Sequence, residues 1–152
     1  MAESETITIR QVDHIGIRVA DLDRAMAFYR ILGFDFEHQS SNDAVAIVKN
    51  AAGVEINLVF NANDGNDGKN ILMDVDAKYA GYTHVALGTD SIQRTIDVLA
   101  ANDIRITQGP VIMRAGNVAV FVRDPDRNVI ELRGKLTDLD SPESIAGYTP
   151  EN

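Results

Sequence analysis

The chain has no cysteine, which removes thiol nucleophiles, CxxC redox chemistry, disulfides and thiolate-bound zinc in one stroke. Any metal it holds must be held by nitrogen and oxygen. Positive charge is also scarce, with 14 Lys and Arg against 23 Asp and Glu and a net charge of −9. Nucleic acid and anionic membranes both select basic surfaces, so neither is an expected partner, although a local basic patch could hold a small anion. No apolar run approaches the ~20 residues that span a bilayer. The acidic start Met1-Ala2-Glu3-Ser4-Glu5 lacks the basic region and apolar stretch of a secretory signal. A small-molecule ligand in the cytoplasm is the expectation that remains. With 152 residues, 45% of them hydrophobic, the chain is long enough to bury a substantial core as one domain.

What the chain does have is a repeat. Val12-Asp13-His14-Ile15-Gly16-Ile17 returns 70 residues later as Tyr82-Thr83-His84-Val85-Ala86-Leu87. Each copy reads as a strand that runs into an amphipathic helix. In the first, Ile15, Ile17 and Val19 share one face, and His14, Gly16 and Arg18 the other. Asp21 is placed to cap a helix whose Leu22, Ala25, Met26, Phe28, Tyr29 and Leu32 stripe ends at Gly33. Strands are expected at 34–39, 44–48 and 54–60, so module one, about 10–60, is strand, helix and three strands.

The polar stretch 61–70 reads as a connector or lid, and 71–81 as loop. Module two, about 82–134, repeats the order with a strand at 82–87 and a helix over 91–102. Strands follow at 104–107 and 118–122, with a turn at Gln108-Gly109-Pro110 between them. Asp124-Pro125-Asp126-Arg127 is a tight turn into a last strand, 129–133. Residues 1–134 are thus one domain, and 135–152 an acidic tail, loose or laid across a partner.

A second offset, 74, aligns Gly53-Val54-Glu55-Ile56-Asn57-Leu58 with Arg127-Asn128-Val129-Ile130-Glu131-Leu132. Asn57 is therefore the counterpart of Glu131. His14, Asn57, His84 and Glu131 all fall on strand faces opposite the helix-packed residues, and they are expected to converge where the modules meet. Two imidazoles and a carboxylate bind Fe(II), Mn, Ni or Zn with positions left for water and substrate.

These motifs resemble the vicinal oxygen chelate superfamily, which includes glyoxalase I, extradiol dioxygenases, fosfomycin-resistance enzymes and bleomycin-binding proteins. The resemblance rests on Asp13-His14 to Asp21-Leu22, Phe28-Tyr29 to Gly33-Phe34, Tyr82-Thr83-His84, and Asp124-Pro125-Asp126 to Glu131-Leu132. It implies an α+β fold of two βαβββ modules that form a curved mixed sheet around a metal-binding cleft, in a homodimer with shared sites. It implies one divalent ion (Ni, Zn, Mn, Co or Fe(II)) on His14, His84 and Glu131, with Asn57 as a weak ligand or neighbour. Glutathione or another small thiol would be the cosubstrate, held by Arg18 and Asn61.

The implied activity is that of a glyoxalase-I-like lyase acting on the hemithioacetal of a 2-oxoaldehyde and a small thiol, with Glu131 as base. An Fe(II) extradiol dioxygenase and a metal-free binding protein are the alternatives. Three departures stand out. Asn57 occupies a position where glyoxalase I usually has glutamate. Glu55 shares its face but lies two residues, about 6–7 Å, along the strand, so it could substitute only by a register shift. Arg127 replaces the glycine usual in the Asp-Pro-Asp-Gly turn.

Overall fold

The structure is a computed structural model that describes residues 5–63 and 65–146. Asp21, in extended backbone, accepts the Arg24 amide at 2.7 Å and so starts helix α1 (Leu22–Ile31). Ala25, Met26, Phe28 and Tyr29 fill the buried stripe of α1. The chain leaves the helix through Gly33 at φ +90°, a conformation that carries little penalty only for glycine.

Ahead of α1 lies β1 (Ile15–Arg18), and after it come β2 (Asp35–Gln39), β3 (Val45–Lys49) and β4 (Glu55–Val59). Module two repeats the order as β5 (His84–Gly88), α2 (Ile92–Ala101), β6 (Ile106–Met113), β7 (Asn117–Arg123) and β8 (Val129–Lys135). Ser91 caps α2 as Asp21 caps α1. The two sheets have orders β1-β4-β3-β2 and β5-β8-β7-β6. In each, the first strand pairs in parallel with the last and the remaining pairs are antiparallel. This is the expected α+β pair of βαβββ modules.

Period-2 alternation assigns the faces. Ile56 and Leu58 of β4 are fully buried, whereas Glu55, Asn57 and Val59 are half-buried. The buried sides of both sheets and both helices form one apolar cluster running from Ile17 to Leu132. The opposite sheet faces are left without a helix, and they carry the polar residues of interest.

Three expectations need adjusting. The first strand, expected within residues 7–19, is shorter, because residues 5–14 are exposed and β1 pairs with β4 only from Ile15 opposite Ile56. Gln108-Gly109-Pro110 is not a turn between strands but an irregularity inside β6, whose pairing with β7 resumes at Val111 opposite Ala119. Pro110 has no N–H to give the ladder, and Gly109, at φ +92°, leaves no room for a Cβ, which would lie 2.6 Å from the Ala119 carbonyl oxygen. The tail is not loose through 146, since Leu136, Leu139 and Ile145 pack against the core. Residues 147–152 lie outside the described residues.

The turn that links β7 to β8 joins the modules. Asp126 Oδ1 accepts the Ala20 backbone amide at 3.1 Å and the Arg24 guanidinium at 2.7 Å, and the Asn128 side-chain Nδ2 donates to the Arg18 carbonyl at 3.0 Å. Arg127 sits in the left-handed region, φ +64°, and its guanidinium explains why a side chain is kept there. It donates to Asp74 at 2.7 and 3.1 Å, Arg123 adds a third bond at 3.1 Å, and Asp74 also accepts the Asn70 amide at 2.7 Å. The 61–81 connector is thereby latched to module two.

The Arg127 hydrogen bonds, foremost among these contacts, hold the Asp74 carboxyl well below the usual carboxylate range. A carboxylate with a lowered folded pKa contributes fully above the unfolded value of about 4 and loses that contribution as the pH falls further. Asp74→Ala should cost about 1–3 kcal/mol and speed amide hydrogen exchange around residues 70–74. Unchanged exchange there would show that the latch does not hold the connector.

Candidate metal and substrate site

Strand pairing sets up two equivalent half-sites. In module one Gly16 lies opposite Asn57, and in module two Ala86 lies opposite Glu131. Each histidine thus stands two residues before the partner of its module's amide or acid. The imidazoles are tethered alike: His14 Nδ1 lies 2.7 Å from Asp13 Oδ1, and His84 Nδ1 lies 2.9 Å from Thr83 Oγ1. Asp13 and Thr83 are themselves repeat partners at offset 70. Engaging Nδ1 fixes the ring and leaves Nε2 as the ligating nitrogen.

His84 and Glu131 are brought together. His84 Nε2 is 3.0 Å from Glu131 Oε2, and the ring meets Phe121 edge-on at 5.8 Å. Glu131 is only 4% exposed, a rare placement for a carboxylate without a task or a partner. Its Oε1 has no hydrogen bond, for Arg133 Nε stands 3.4 Å away at ion-pair distance but without the alignment of a bond. Asn57 Oδ1, at the equivalent place in module one, is likewise buried and unpartnered. The orphaned Glu131 oxygen beside the His84 imidazole supplies N and O donors of the kind a divalent ion prefers, and the Asn57 oxygen is a further unsatisfied atom at the repeat-related position.

His14 does not join His84 and Glu131 within one chain. Among the described residues, the single group of three or more His and carboxylate residues whose ligand atoms lie within 4.8 Å of one another is Asp13, His14 and Glu55. His14 with Asp13 and Glu55, and His84 with Glu131, are thus two separate clusters. Between the edge strands β1 and β5 lies an open cleft of about 1360 Å³, lined in part by His14, Arg18, Asn61 and His84, with Asn57 and Glu131 outside its lining. Arg18 and Asn61 thus share a cleft with both histidines.

Sequence reasoning missed Asp13 and Thr83, although their matched places in the repeat were a usable signal. It also sets Glu55 aside, as lying two residues along the strand from the Asn57 position. The ligand atoms of His14, Asp13 and Glu55 nevertheless lie within 4.8 Å of one another.

Comparison with known proteins converges on one group. The model of the Glyoxalase/Bleomycin resistance protein/Dioxygenase superfamily matches residues 11–132. A lactoylglutathione lyase of Haemophilus influenzae is 30% identical over 130 residues, spanning 80% of this chain and 90% of that protein. A probable lactoylglutathione lyase of Vibrio cholerae is 28% identical over 128 residues, with 78% and 86% covered. Among solved structures, a glyoxalase/dioxygenase from Nostoc punctiforme has a TM-score of 0.67 at 21% identity, over 88% of this chain and 99% of that one. An antibiotic-binding protein from a Streptomyces species has a TM-score of 0.62 at 21% identity, with 86% and 99% covered.

Proposed function

This chain belongs to the Glyoxalase/Bleomycin resistance protein/Dioxygenase superfamily, and we propose that within it the protein is a divalent-metal-dependent lyase acting on the hemithioacetal of a 2-oxoaldehyde and a small thiol such as glutathione. The observation that carries the proposal is Glu131, a buried carboxylate with one oxygen on His84 and the other unbonded. Such a group has a lone pair to offer a carbon acid. The names of the relatives at about 30% identity point the same way.

The halves would be completed in a homodimer, with His14 and its neighbours from one copy facing His84 and Glu131 from the other. Support comes from the helix-free sheet faces on which both halves lie, and from exposed apolar side chains such as Val12 and Tyr82 beside the histidines. The ion, when bound, would polarise the substrate's two adjacent oxygens and acidify the C–H between them. Glu131 would take the proton from the carbon that bears sulfur and return it to the neighbouring carbon while the hydroxyl proton passes to the neighbouring oxygen, so one carbon is oxidised to the thioester carbonyl, the other is reduced to the alcohol, and no external oxidant is needed. Arg133, beside Oε1, keeps the carboxylate directed.

Arg18 and Asn61, on the cleft wall, hold the charged end of the thiol. Arg18→Ala should therefore raise KM for the thiol adduct by about tenfold with kcat little changed, the pattern of lost uniform binding. An equal fall in kcat with unchanged KM would remove Arg18 from that role. The overall test is turnover of methylglyoxal with glutathione by untagged protein reconstituted with Ni, Co, Zn and Mn. No thiol-dependent turnover, together with O₂ uptake on a catechol after Fe(II) loading, would make the protein a dioxygenase instead.

A further inference from the structure

We propose that Glu55, and not Asn57, supplies the carboxylate of the module-one half of the metal centre. The inference rests on the metal-dependent reading above and adds which side chains do the holding.

The first argument is distance. The ligand atoms of Asp13, His14 and Glu55 already lie within 4.8 Å of one another. Ligands about 2.0–2.2 Å from a common ion lie about 3–4.4 Å apart, so small side-chain rotations close the set. Asp13 holds His14 Nδ1 at 2.7 Å, which makes it a positioning residue, and rotation of the His14 side chain would present Nε2 beside the Glu55 carboxylate.

The second argument is the repeat. The module-two residue equivalent to Glu55 is Val129, and the one equivalent to Asn57 is Glu131. Each module thus carries one acid on the site face of its last strand, displaced in module one by a single same-face step towards His14. A neutral amide donates weakly to a dication, and the displaced carboxylate restores the charge that Asn57 lacks. Asn57 Oδ1, buried and without a hydrogen bond, sits one step further along and can accept from a ligand water.

The third argument is that Glu55 is free to turn. Its standing partner, Lys49, lies 3.3 Å from Glu55 and 3.2 Å from Glu37, so the ammonium keeps a partner when Glu55 leaves. Lys49 is exposed enough for that exchange to cost little.

The test is titration of untagged apoprotein with CoCl₂, read by calorimetry and by the visible bands of bound Co(II), for wild type and for Glu55→Gln, Asn57→Ala, His14→Ala and His84→Ala. Glu55→Gln should weaken Co(II) at least tenfold and alter the visible bands, whereas Asn57→Ala should weaken it less than threefold. Moving the acid back, in the Glu55→Gln/Asn57→Glu double variant, should recover affinity, which also rules out misfolding as the cause of the loss. Wild-type affinity in Glu55→Gln with a loss in Asn57→Ala overturns the assignment. If His14→Ala and His84→Ala weaken Co(II) and Glu55→Gln does not, only the Glu55 assignment falls. If none of the variants changes binding, or wild type takes up no Co(II), the metal reading falls with it.

Discussion

Glu131→Gln should lower kcat for the thiol adduct by about 10²–10⁴-fold at saturating metal, the range over which a positioned general base acts, and should leave KM within a few-fold. Glutamine matches glutamate in shape, so the contacts of this 4% exposed side chain with its neighbours are kept. What it loses is the lone pair that accepts the substrate proton. Arg133 loses an ion-pair partner, but at 35% side-chain exposure and 3.4 Å that loss is small. Saturating metal matters, because an amide is also a poorer ligand than a carboxylate and would otherwise mix metal loss with base loss. A glutamine variant that turns over at more than a tenth of the wild-type rate would move the base elsewhere, with Glu55 the next carboxylate to examine.

Much of this site is legible in the sequence because duplication supplies an internal control. The offset of 70 places His14 and His84 on equivalent strand positions, and alternation puts both on the face away from Ile17 and Leu87. Capping chemistry at Asp21 and the turn residues of 124–127 mark element ends correctly, since both are decided by local backbone groups. Which acid each histidine meets is a different matter. The register is the same in both modules, yet His84 Nε2 reaches Glu131 whereas His14 clusters with Glu55, so side-chain conformation set by the three-dimensional surroundings decides it. A similar non-local term keeps β6 continuous through Gly109-Pro110: the ladder to β7 outweighs a strong local turn signal. The tail misled for the same reason. Leu136, Leu139 and Ile145 show no helical or strand period, yet each finds the core cluster.

The largest stability effect should come from Asp124, whose side chain fastens the turn that clasps the modules together. It is 3% exposed and accepts the Tyr29 hydroxyl at 2.8 Å, the Asp126 amide at 2.9 Å, the Asn128 amide at 2.8 Å and the Asn128 side chain at 2.9 Å. Asp124→Ala strands the buried Tyr29 hydroxyl and two backbone N–H groups, each a loss of about 1–3 kcal/mol. Relief of a desolvated carboxylate offsets part of this, for burial outweighs the hydrogen bonds and pushes the Asp124 pKa up. A net loss of about 2–4 kcal/mol is expected, lowering Tm by about 5–15 °C for a chain of this size. Tyr29→Phe, which removes one donor and leaves the other three bonds, should cost about 1 kcal/mol. The pH dependence follows from the sign of the shift. With the folded pKa above the unfolded value of about 4, the folded state binds the extra proton, so wild-type stability from this group falls as the pH rises through that window and is then constant. The gap between wild type and Asp124→Ala should narrow over the same interval in thermal melts taken at stepped pH. A gap that widens instead would mean that the hydrogen bonds to the ionised carboxylate, and not its burial, dominate. Equal losses for Asp124→Ala and Tyr29→Phe would mean that the backbone bonds of the turn survive without the carboxylate.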